Sequence, residues 1–454
     1  MEAPETSQEV EESQLASDTA QQHWESTSCF NQLPRDTLAE IFVRCLPEVS
    51  LWPTIVGRST KNVAPLLLCN VCSTWRTVAL ATPRLWQTLF LDFKRATPKS
   101  KVTEEAVAMT HIWIRRSGVL PLTLSLQVKP CRAGKDNHAL GEALLNALFN
   151  YASRWEHVGF SYLPIPLSQL EHMPCLRTLC VLADESTQFP FASCPKLASI
   201  FWYFKSTVSS APLPWHQLTH IHLDDYTSTP DMIFVIQSCP KLTDLSVTLN
   251  EDEVPESLPR EQLVNKSLRK LQISGLHTSH PLLNRLKLPA LTDIQIEVPY
   301  EYPVMRGFQE VLLGFFSRSK CKLNRMVLQD CGFNDEELLE CLTHYSCTGL
   351  VELEIANADD APTFTNAVLL ALTDLRPVEH NLLLPKLARL TLDSCVDASP
   401  GSVGTMALSR CISQDKVVQF RFLKIAFTDL DEWDIVLLRL AEIRGLDFRY
   451  NHYG

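Results

Sequence analysis

One apolar spacing recurs along most of the chain and limits what it can fold into. From residue 155 onward, a large apolar residue is followed three and five positions later by two more, as in Leu242/Leu245/Val247. Residues with this spacing cannot share one helical face, whereas a strand entered from a turn can bury all three. The pattern occurs twelve times, and its units begin at Trp155, Leu176, Leu197, Leu218, Leu242, Leu268, Leu291, Leu323, Leu350, Leu387, Phe420 and Ile443. Because one unit cannot cover its own apolar side, neighbouring units are expected to stack.

The length of the repeating unit narrows the possible fold class further. Successive units begin 21 to 37 residues apart, and most of these intervals fall within the roughly 20–29 residues typical of leucine-rich repeats. The full repeat also carries Asn or Cys eight positions after its first apolar residue. Four units do so, at Asn250, Cys331, Cys395 and Asn451. The sequence therefore predicts an irregular, leucine-rich-repeat-like curved solenoid of α+β or α/β class over residues 151–454.

The region before the repeats has a helical pattern instead. Leu38, Ile41 and Phe42 fall on one helical face, and Pro65 precedes a second such stripe. The second stripe consists of Leu68, Val71, Cys72, Trp75 and Ala79. Two short helices of this kind predict an N-terminal all-α bundle within residues 29–92, which is too small to bury its apolar face alone. The uncovered face would suit a partner helix.

Composition and charge argue against several partners and compartments. The net charge is −11 over 454 residues, whereas nucleic acid and anionic membranes attract clustered Lys and Arg. No apolar run is long enough to span a bilayer, and no export signal precedes residue 30, so the cysteines are expected to be reduced in a cytoplasmic or nuclear protein. Residues 1–28 are predicted to be a disordered acidic tail. A polar insert at 50–62 separates the two helices, and residues 93–150 are expected to lead into the repeats.

The sequence offers little chemistry for catalysis. Cys69 and Cys72 form a C-x-x-C pair, but no second pair completes a tetrahedral zinc site, so a structural role is favoured over a redox or metal role. His220 and His222 flank the apolar Ile221 and are expected to face solvent. No phosphate-binding glycine loop, dinucleotide motif or nucleophile elbow occurs. We therefore expect no catalytic residues, no bound metal and no cofactor.

Three short stretches resemble an F-box. These are Leu33–Pro34, Ile41–Phe42 and the sequence VCSTWR from Val71 to Arg76, followed by PRLW, the usual close of the fungal F-box-like group. The match covers about residues 32–89. The later phrases WIRRSGVLPLTLSL and SRWEHVGF, together with the repeats, are similar to the F-box proteins abundant in mushroom-forming fungi.

The resemblance implies a specific role. An F-box docks on a Skp-type adaptor, which joins a cullin–RING ubiquitin ligase, while the repeats capture an unknown client protein. The chain would then be a non-catalytic, substrate-recognition subunit of an SCF-type (Skp–cullin–F-box) ligase, bringing a client close to the ubiquitin carrier. Leu33 and Pro34 would contact the adaptor directly. The complete set implied at the adaptor-binding domain is Leu33, Pro34, Leu38, Ile41, Phe42, Leu68, Val71, Cys72 and Trp75.

Two alternatives stay open on the sequence alone. The chain could be a non-catalytic leucine-rich-repeat scaffold that engages no ubiquitin ligase. It could also contain an enzyme in its C-terminal half, which predicts a pocket where several titratable groups converge. In the first alternative, variants of Leu33 and Pro34 would not change adaptor recovery.

Overall fold

The described part of the chain divides into two compact units. The computed structural model describes residues 33–47, 63–92, 100–127, 136–161, 172–182, 193–203, 208–249, 261–275, 282–298, 307–357, 363–374, 382–412, 419–427 and 429–451. One unit comprises Met1–Ala183 and Ser193–Lys196, and the other comprises Asp184–Ala192 and Leu197–Gly454. The predicted acidic tail (1–28), the polar insert (50–62) and Asn250 lie outside the described residues.

The first unit alternates helices and strands. Its elements, in chain order, are α1 (Arg35–Arg44), α2 (Ser73–Ala81), β1 (Thr88–Asp92), α3 (Ser100–Arg116), β2 (Leu122–Gln127), α4 (Asp136–Phe149), β3 (Trp155–Ser161) and β4 (Thr178–Leu182). Short 3₁₀ turns occur at Leu68–Asn70, Pro83–Trp86 and Ala152–Arg154. The four strands are parallel, and each pairs with the next in the chain.

The second unit continues the same alternation. Its elements begin with β5 (Ser199–Tyr203), β6 (His220–Thr227), α5 (Thr229–Ser238), β7 (Asp244–Leu249), β8 (Leu263–Val264), β9 (Lys270–Ser274), β10 (Leu286–Lys287) and β11 (Asp293–Glu297). They continue with α6 (Phe308–Ser319), β12 (Arg325–Gln329), α7 (Asp335–Thr343), β13 (Glu352–Ala356), β14 (Phe364–Thr365), α8 (Asn366–Leu372) and β15 (Arg389–Asp393). The remaining elements are β16 (Val396–Asp397), α9 (Ser402–Ile412), β17 (Phe422–Ala426), α10 (Glu432–Ile443) and β18 (Asp447–Asn451).

A large parallel sheet organises the second unit. Within the described residues it runs in the order β5-β6-β7-β9-β11-β12-β13-β15-β17-β18, while β8 pairs with β10 and β14 pairs with β16 in two small separate sheets. Parallel neighbours need a crossover connection, and helices supply several of these crossovers. The fold is therefore α/β.

The predicted fold class is wrong in its first part, because residues 29–92 do not form an all-α bundle. Residues 88–92 fall inside the predicted bundle, yet they form β1, which pairs in parallel with β2 from Thr88↔Thr123 to Asp92↔Gln127. Trp86 and Trp113 fix this junction, because their ring centroids lie 4.8 Å apart and the Trp113 indole N–H donates to the Thr88 carbonyl at 3.0 Å. The opening helices thus lead directly into a sheet.

The apolar spacing in the sequence corresponds to the strands. Across neighbouring strands of the second unit, equivalent positions are occupied by Leu245, Leu271, Ile294, Met326, Leu353, Leu390 and Leu423. All of these side chains are buried. The apolar residue two positions later on each strand is buried as well, as Ile273 and Ile296 illustrate. The prediction that the second and third residues of each of these units lie in a strand is confirmed.

Two cysteines have the position that the full repeat requires. Cys331 and Cys395 are buried, and their thiols donate to the carbonyls of Ile296 and Ile355 at 3.8 and 3.6 Å. Burial raises the pKa of the Cys395 thiol to about 12. These thiols therefore act as neutral donors to carbonyls near the ends of β11 and β13.

The twelfth unit departs from the pattern. Ile443 was expected to enter a strand, but it ends α10 and is 80% exposed. Leu446 and Phe448 of the same unit are buried and half-buried, and Phe448 lies on β18. The helix extends as far as Ile443, and Gly445, with a φ of 100°, then turns the chain out of it.

Candidate functional site

The first helix of the F-box-like segment begins where the sequence predicts. Pro34 precedes α1 in an extended conformation, and its carbonyl accepts the backbone N–H of Leu38 at 3.0 Å. Asp36 lies in the first turn and Arg44 in the last, so both charges favour the helix dipole. Leu38 and Phe42, four residues apart, form its buried face.

The second helix begins later than predicted. Residues 68–70 form a 3₁₀ turn, and α2 begins only at Ser73. Cys72 adopts an extended backbone with φ −158° and ψ 174°, and its sulfur accepts the backbone N–H of Trp75 at 3.4 Å. The continuous helix predicted from Pro65 is therefore wrong, because Cys72 caps a new helix instead of continuing one.

Of the two cysteines in the C-x-x-C pair, this geometry gives the Cys72 side chain a structural role. The carbonyl of Cys69 accepts the Arg76 guanidinium N–H at 2.7 Å, and burial raises the pKa of the Cys69 thiol despite the nearby Arg116 and Arg76. Cys72 caps α2 through its sulfur. Within the described ranges, no group of three or more His, Cys, Asp or Glu side chains could hold a metal ion.

Aromatic, polar and ionic contacts join the two helices. The rings of Phe42 and Trp75 lie 4.8 Å apart at 53°, and an ion pair between Arg84 and Glu40 links α1 to the turn after α2. The indole N–H of Trp86 donates to the carbonyl of Ala79 at 2.9 Å. The ion pair is exposed and contributes little, so the aromatic contact carries more of the stability.

The nine sequence-predicted site residues separate into three groups. Leu38, Phe42 and Leu68 are buried, at 2, 0 and 4% exposure, and so form the core of the segment. Pro34 and Val71 are exposed, and Val71 reaches 53%. The half-buried group consists of Leu33, Ile41, Cys72 and Trp75. Direct contact with a partner is thus open to the exposed and half-buried residues, while the buried three act through packing.

Sequence reasoning missed two exposed apolar residues in this segment. Leu67 is 44% exposed and Leu80 is 36% exposed. Leu67 belongs to the run Leu66–Leu68, in which adjacent residues cannot all lie on one face. This run was therefore a sequence signal that at least one of its leucines is exposed. We refer to Pro34, Leu67, Val71 and Leu80 as the exposed apolar set.

The second unit has a polar surface on the strands. Alternate strand positions face away from the buried ladder, and one row of them carries charges of alternating sign. This row consists of Asp244, Lys270, Asp293, Arg325, Glu352 and Arg389. Neighbouring members interact, since Arg325 and Arg389 lie 3.3 and 3.8 Å from Glu352, and Lys270 lies 3.8 Å from Asp244.

The row ends at an aromatic ring between two cations. Phe422 occupies the next position after Arg389, whose guanidinium lies 4.2 Å from the ring centroid. Arg449 approaches the same ring to 5.3 Å. Cation–π contacts of this kind order long side chains that would otherwise be mobile.

One predicted solvent-facing histidine is partly enclosed. His220 is exposed, but His222 is only half-exposed and its ring lies 5.9 Å from Phe201 and 5.4 Å from Tyr203. Burial lowers the pKa of His222, and the nearby Asp224 and Asp244 offset part of that effect. The expectation that both histidines face solvent is therefore wrong for His222.

Neither protein-family models nor curated proteins match the sequence. Among the helices of the described residues, none has the length and apolar character needed to cross a bilayer.

Proposed function

We propose that the chain is the substrate-recognition subunit of an SCF-type ubiquitin ligase. The F-box-like segment docks on a Skp-type adaptor, and the strand surface of the second unit binds a client protein. The exposed apolar set carries this proposal, because it lies in the segment whose motifs resemble an F-box. Small helical domains with apolar side chains at their surface gain free energy when a partner groove covers them.

Covering the exposed apolar side chains of this segment with a partner would be more favourable in free energy than leaving them in solvent. Leu67 and Val71 are 44 and 53% exposed, and they lie four residues apart. At about 25 cal/mol per Å² of apolar area, covering each would contribute roughly 1 kcal/mol. The buried residues Leu38, Phe42 and Leu68 hold the backbone that presents them. Adaptor binding would thus depend on two kinds of residue, some by contact and some by packing.

The role of the chain would be proximity. A client held on the strand surface is brought beside the ubiquitin carrier, so the effective concentration of its lysines rises. The reacting groups would belong to other subunits of the ligase. The row of alternating charges and the Phe422 ring between Arg389 and Arg449 are features of this surface that a client could contact.

Adaptor capture tests the docking step. Wild-type full-length chain should retain a purified Skp-type adaptor, while Leu67→Asp/Val71→Asp and Leu33→Ala/Pro34→Ala should each lose most of it. Met109→Asp is the matched control, because Met109 is 50% exposed in the same unit but lies on α3, outside the F-box-like segment. Equal recovery of the adaptor by wild type and both docking variants would favour the scaffold alternative.

Client capture tests the second step separately. Affinity purification of wild type and of Leu67→Asp/Val71→Asp, followed by mass spectrometry, should give the same clients from both. The ligase subunits should appear with wild type only. Loss of the clients together with the ligase subunits would contradict a division of labour between the two units.

A further inference from the structure

The polar strand surface of the second unit carries a group of three cations near its last strands. The group consists of Arg389 on β15, Lys424 on β17 and Arg449 on β18, and we call it the cation cluster. All three side chains lie on the side of the sheet opposite the buried Leu423. Phe422 lies among them, since its ring contacts the guanidinium groups of Arg389 and Arg449.

Two members of the cation cluster are direct neighbours on adjacent strands. Lys424 pairs in register with Arg449, and paired strands lie about 4.8 Å apart, so two positive charges are side by side. Like charges in directly opposite strand positions repel and destabilise the pairing. Elsewhere on this surface the neighbours have opposite charges, as Lys270 and Asp244 do at 3.8 Å. The arrangement at Lys424 and Arg449 is therefore one that an added anion would relieve.

The neighbouring carboxylates neutralise the cation cluster only in part. The Asp447 carboxylate lies 3.1 Å from the Arg449 guanidinium on the same strand. The Glu352 carboxylate lies 3.8 Å from the Arg389 guanidinium and is shared with a second arginine. Lys424 is half-buried and forms no ion pair with any residue in the part of the chain that the structure describes. An incoming carboxylate would therefore gain most beside the Lys424 ammonium.

The two arginines of the cluster are ordered by Phe422 and remain accessible. Phe422 is only 8% exposed, so its ring supports the two guanidinium groups and is itself covered. The side chains of Arg389 and Arg449 are still 49 and 64% exposed. A guanidinium has five N–H donors in a planar fork that fits a carboxylate, and one ion pair leaves several of these donors unused. Side chains that are already ordered lose less entropy when they bind.

We infer that the cation cluster binds the carboxylates of an acidic peptide segment. The inference rests on the proposed function only in that this segment would belong to the client protein. One carboxylate between Lys424 and Arg449 would accept hydrogen bonds from both and offset their repulsion, and a second would pair with Arg389. Because the chain has a net charge of −11, the attraction for an acidic segment must come from this local cluster.

Fluorescence anisotropy of a labelled hexaglutamate peptide, titrated with the full-length chain, tests the inference. Wild type should bind this peptide, whereas hexaglutamine and hexalysine should not bind. Lys424→Glu should weaken binding about tenfold or more, because it removes a donor and repels the peptide. Lys270→Glu is the matched control, since it makes the same charge change five strands away on the same surface. That separation exceeds the Debye length of about 8 Å at physiological salt, so binding should be unchanged.

Thermal unfolding of Lys424→Glu shows whether a loss of binding comes from a loss of folding. The substitution replaces the like-charge pair with Arg449 by an opposite-charge pair, so the midpoint should be at least that of wild type. Lys424→Met removes the charge, keeps the apolar stem and should also weaken binding. A lower midpoint for both variants would contradict the repulsion between Lys424 and Arg449, on which the inference depends.

Adaptor recovery separates this inference from the proposed function. Lys424→Glu should retain the Skp-type adaptor as wild type does, while Leu67→Asp/Val71→Asp should bind hexaglutamate as wild type does. If wild type fails to recover the adaptor, the proposed function fails and the peptide result still stands. No hexaglutamate binding by wild type up to about 1 mM, or equal binding by Lys424→Glu, would overturn the inference. Tighter binding of an oligodeoxythymidylate than of hexaglutamate would overturn the choice of an acidic peptide.

Discussion

The rings of Phe42 and Trp75 lie 4.8 Å apart at 53°, and this contact joins the two helices of the F-box-like segment. Phe42 is fully buried, whereas Trp75 is half-buried. The pair therefore has an inner member that supports the fold and an outer member within reach of a partner. Within this one pair of rings, Phe42 belongs to the core and Trp75 is placed to contact a partner.

Replacing Phe42 should affect stability more than any exposed residue of the segment. Phe42→Ala removes a fully buried ring and should cost about 3–5 kcal/mol of unfolding free energy. Val71→Ala, at a residue that is 53% exposed, should change stability by less than ~0.5 kcal/mol. Urea denaturation followed by tryptophan fluorescence measures both. Equal losses for the two variants would contradict the assignment of Phe42 to the core and Val71 to the surface.

The buried Arg410 should be essential to the second unit. Its guanidinium donates to the carbonyls of Leu372, Leu383 and Leu384 at 2.7, 2.6 and 3.0 Å, and burial lowers its pKa to about 10. Arg410→Met leaves these carbonyls without their donor and should cost about 3 kcal/mol.

The control for this prediction is Arg421→Met. Arg421 is exposed, and the same substitution there should be nearly neutral. Thermal unfolding of the two variants gives the comparison, and a tolerated Arg410→Met would show that the three carbonyls find other donors.

Two helical glycines should respond differently to alanine. At Gly404 on α9, a new Cβ would lie 2.6 Å from the Leu437 Cβ and 3.0 Å from the Asp434 carbonyl oxygen, so Gly404→Ala forces α9 and α10 apart. The expected cost is about 2 kcal/mol. At Gly314 on α6, the nearest atom is a guanidinium nitrogen of Arg318, whose side chain donates to the Leu283 carbonyl at 2.7 Å. Gly314→Ala gains helix propensity but displaces this side chain slightly, so it should cost less than Gly404→Ala. Chemical denaturation of both variants distinguishes the two environments.

His222 should make the stability of the second unit depend on pH. Its folded pKa lies below the ordinary 6.5 because burial disfavours the imidazolium. The stabilisation is complete above the ordinary pKa and is lost as the pH falls from 6.5 through the lowered folded value, because the unfolded chain then binds the proton more readily. His222→Asn should flatten the stability profile in that range.

His220→Asn is the matched control for the titration. His220 lies on the same strand but is exposed. Unfolding free energies of wild type and both variants are measured between pH 7 and pH 5. If the slope of stability against pH changes equally in both variants, the pH dependence does not come specifically from the half-buried His222 imidazole.

The strand positions could be predicted from the sequence, while several element boundaries could not. The spacing that includes Leu353 and Ile355 indicates a strand because only a strand buries residues two apart on one side. At Ile443 the same spacing misleads, since its first interval of three residues also fits a helix. Local apolar patterns therefore identify strands best where the same residues do not also fit a helical pattern.

In the N-terminal segment, prediction from the sequence fails for other reasons. The start of α2 is hidden because Cys72 caps it with sulfur, whereas Ser, Thr, Asp and Asn are the residues that usually signal a cap. β1 is missed because the five residues Thr88–Asp92 lack the recurring spacing and are recognisable only through their pairing with β2. The run Leu66–Leu68 indicates that one of its residues is exposed, but which one it is, and the exposure of Leu80, depend on how the helices pack.

The alternating signs along the outer strand row have a kinetic consequence. Asp244, Lys270, Asp293, Arg325, Glu352 and Arg389 offset one another at short range. A molecule approaching from several Debye lengths therefore meets almost no long-range attraction from this row, and the row itself should contribute little to any dependence of the encounter rate on ionic strength. Selectivity of this row for one binding partner over another must therefore arise after contact. It would depend on how well the partner's polar groups replace the ion pairs that they disrupt.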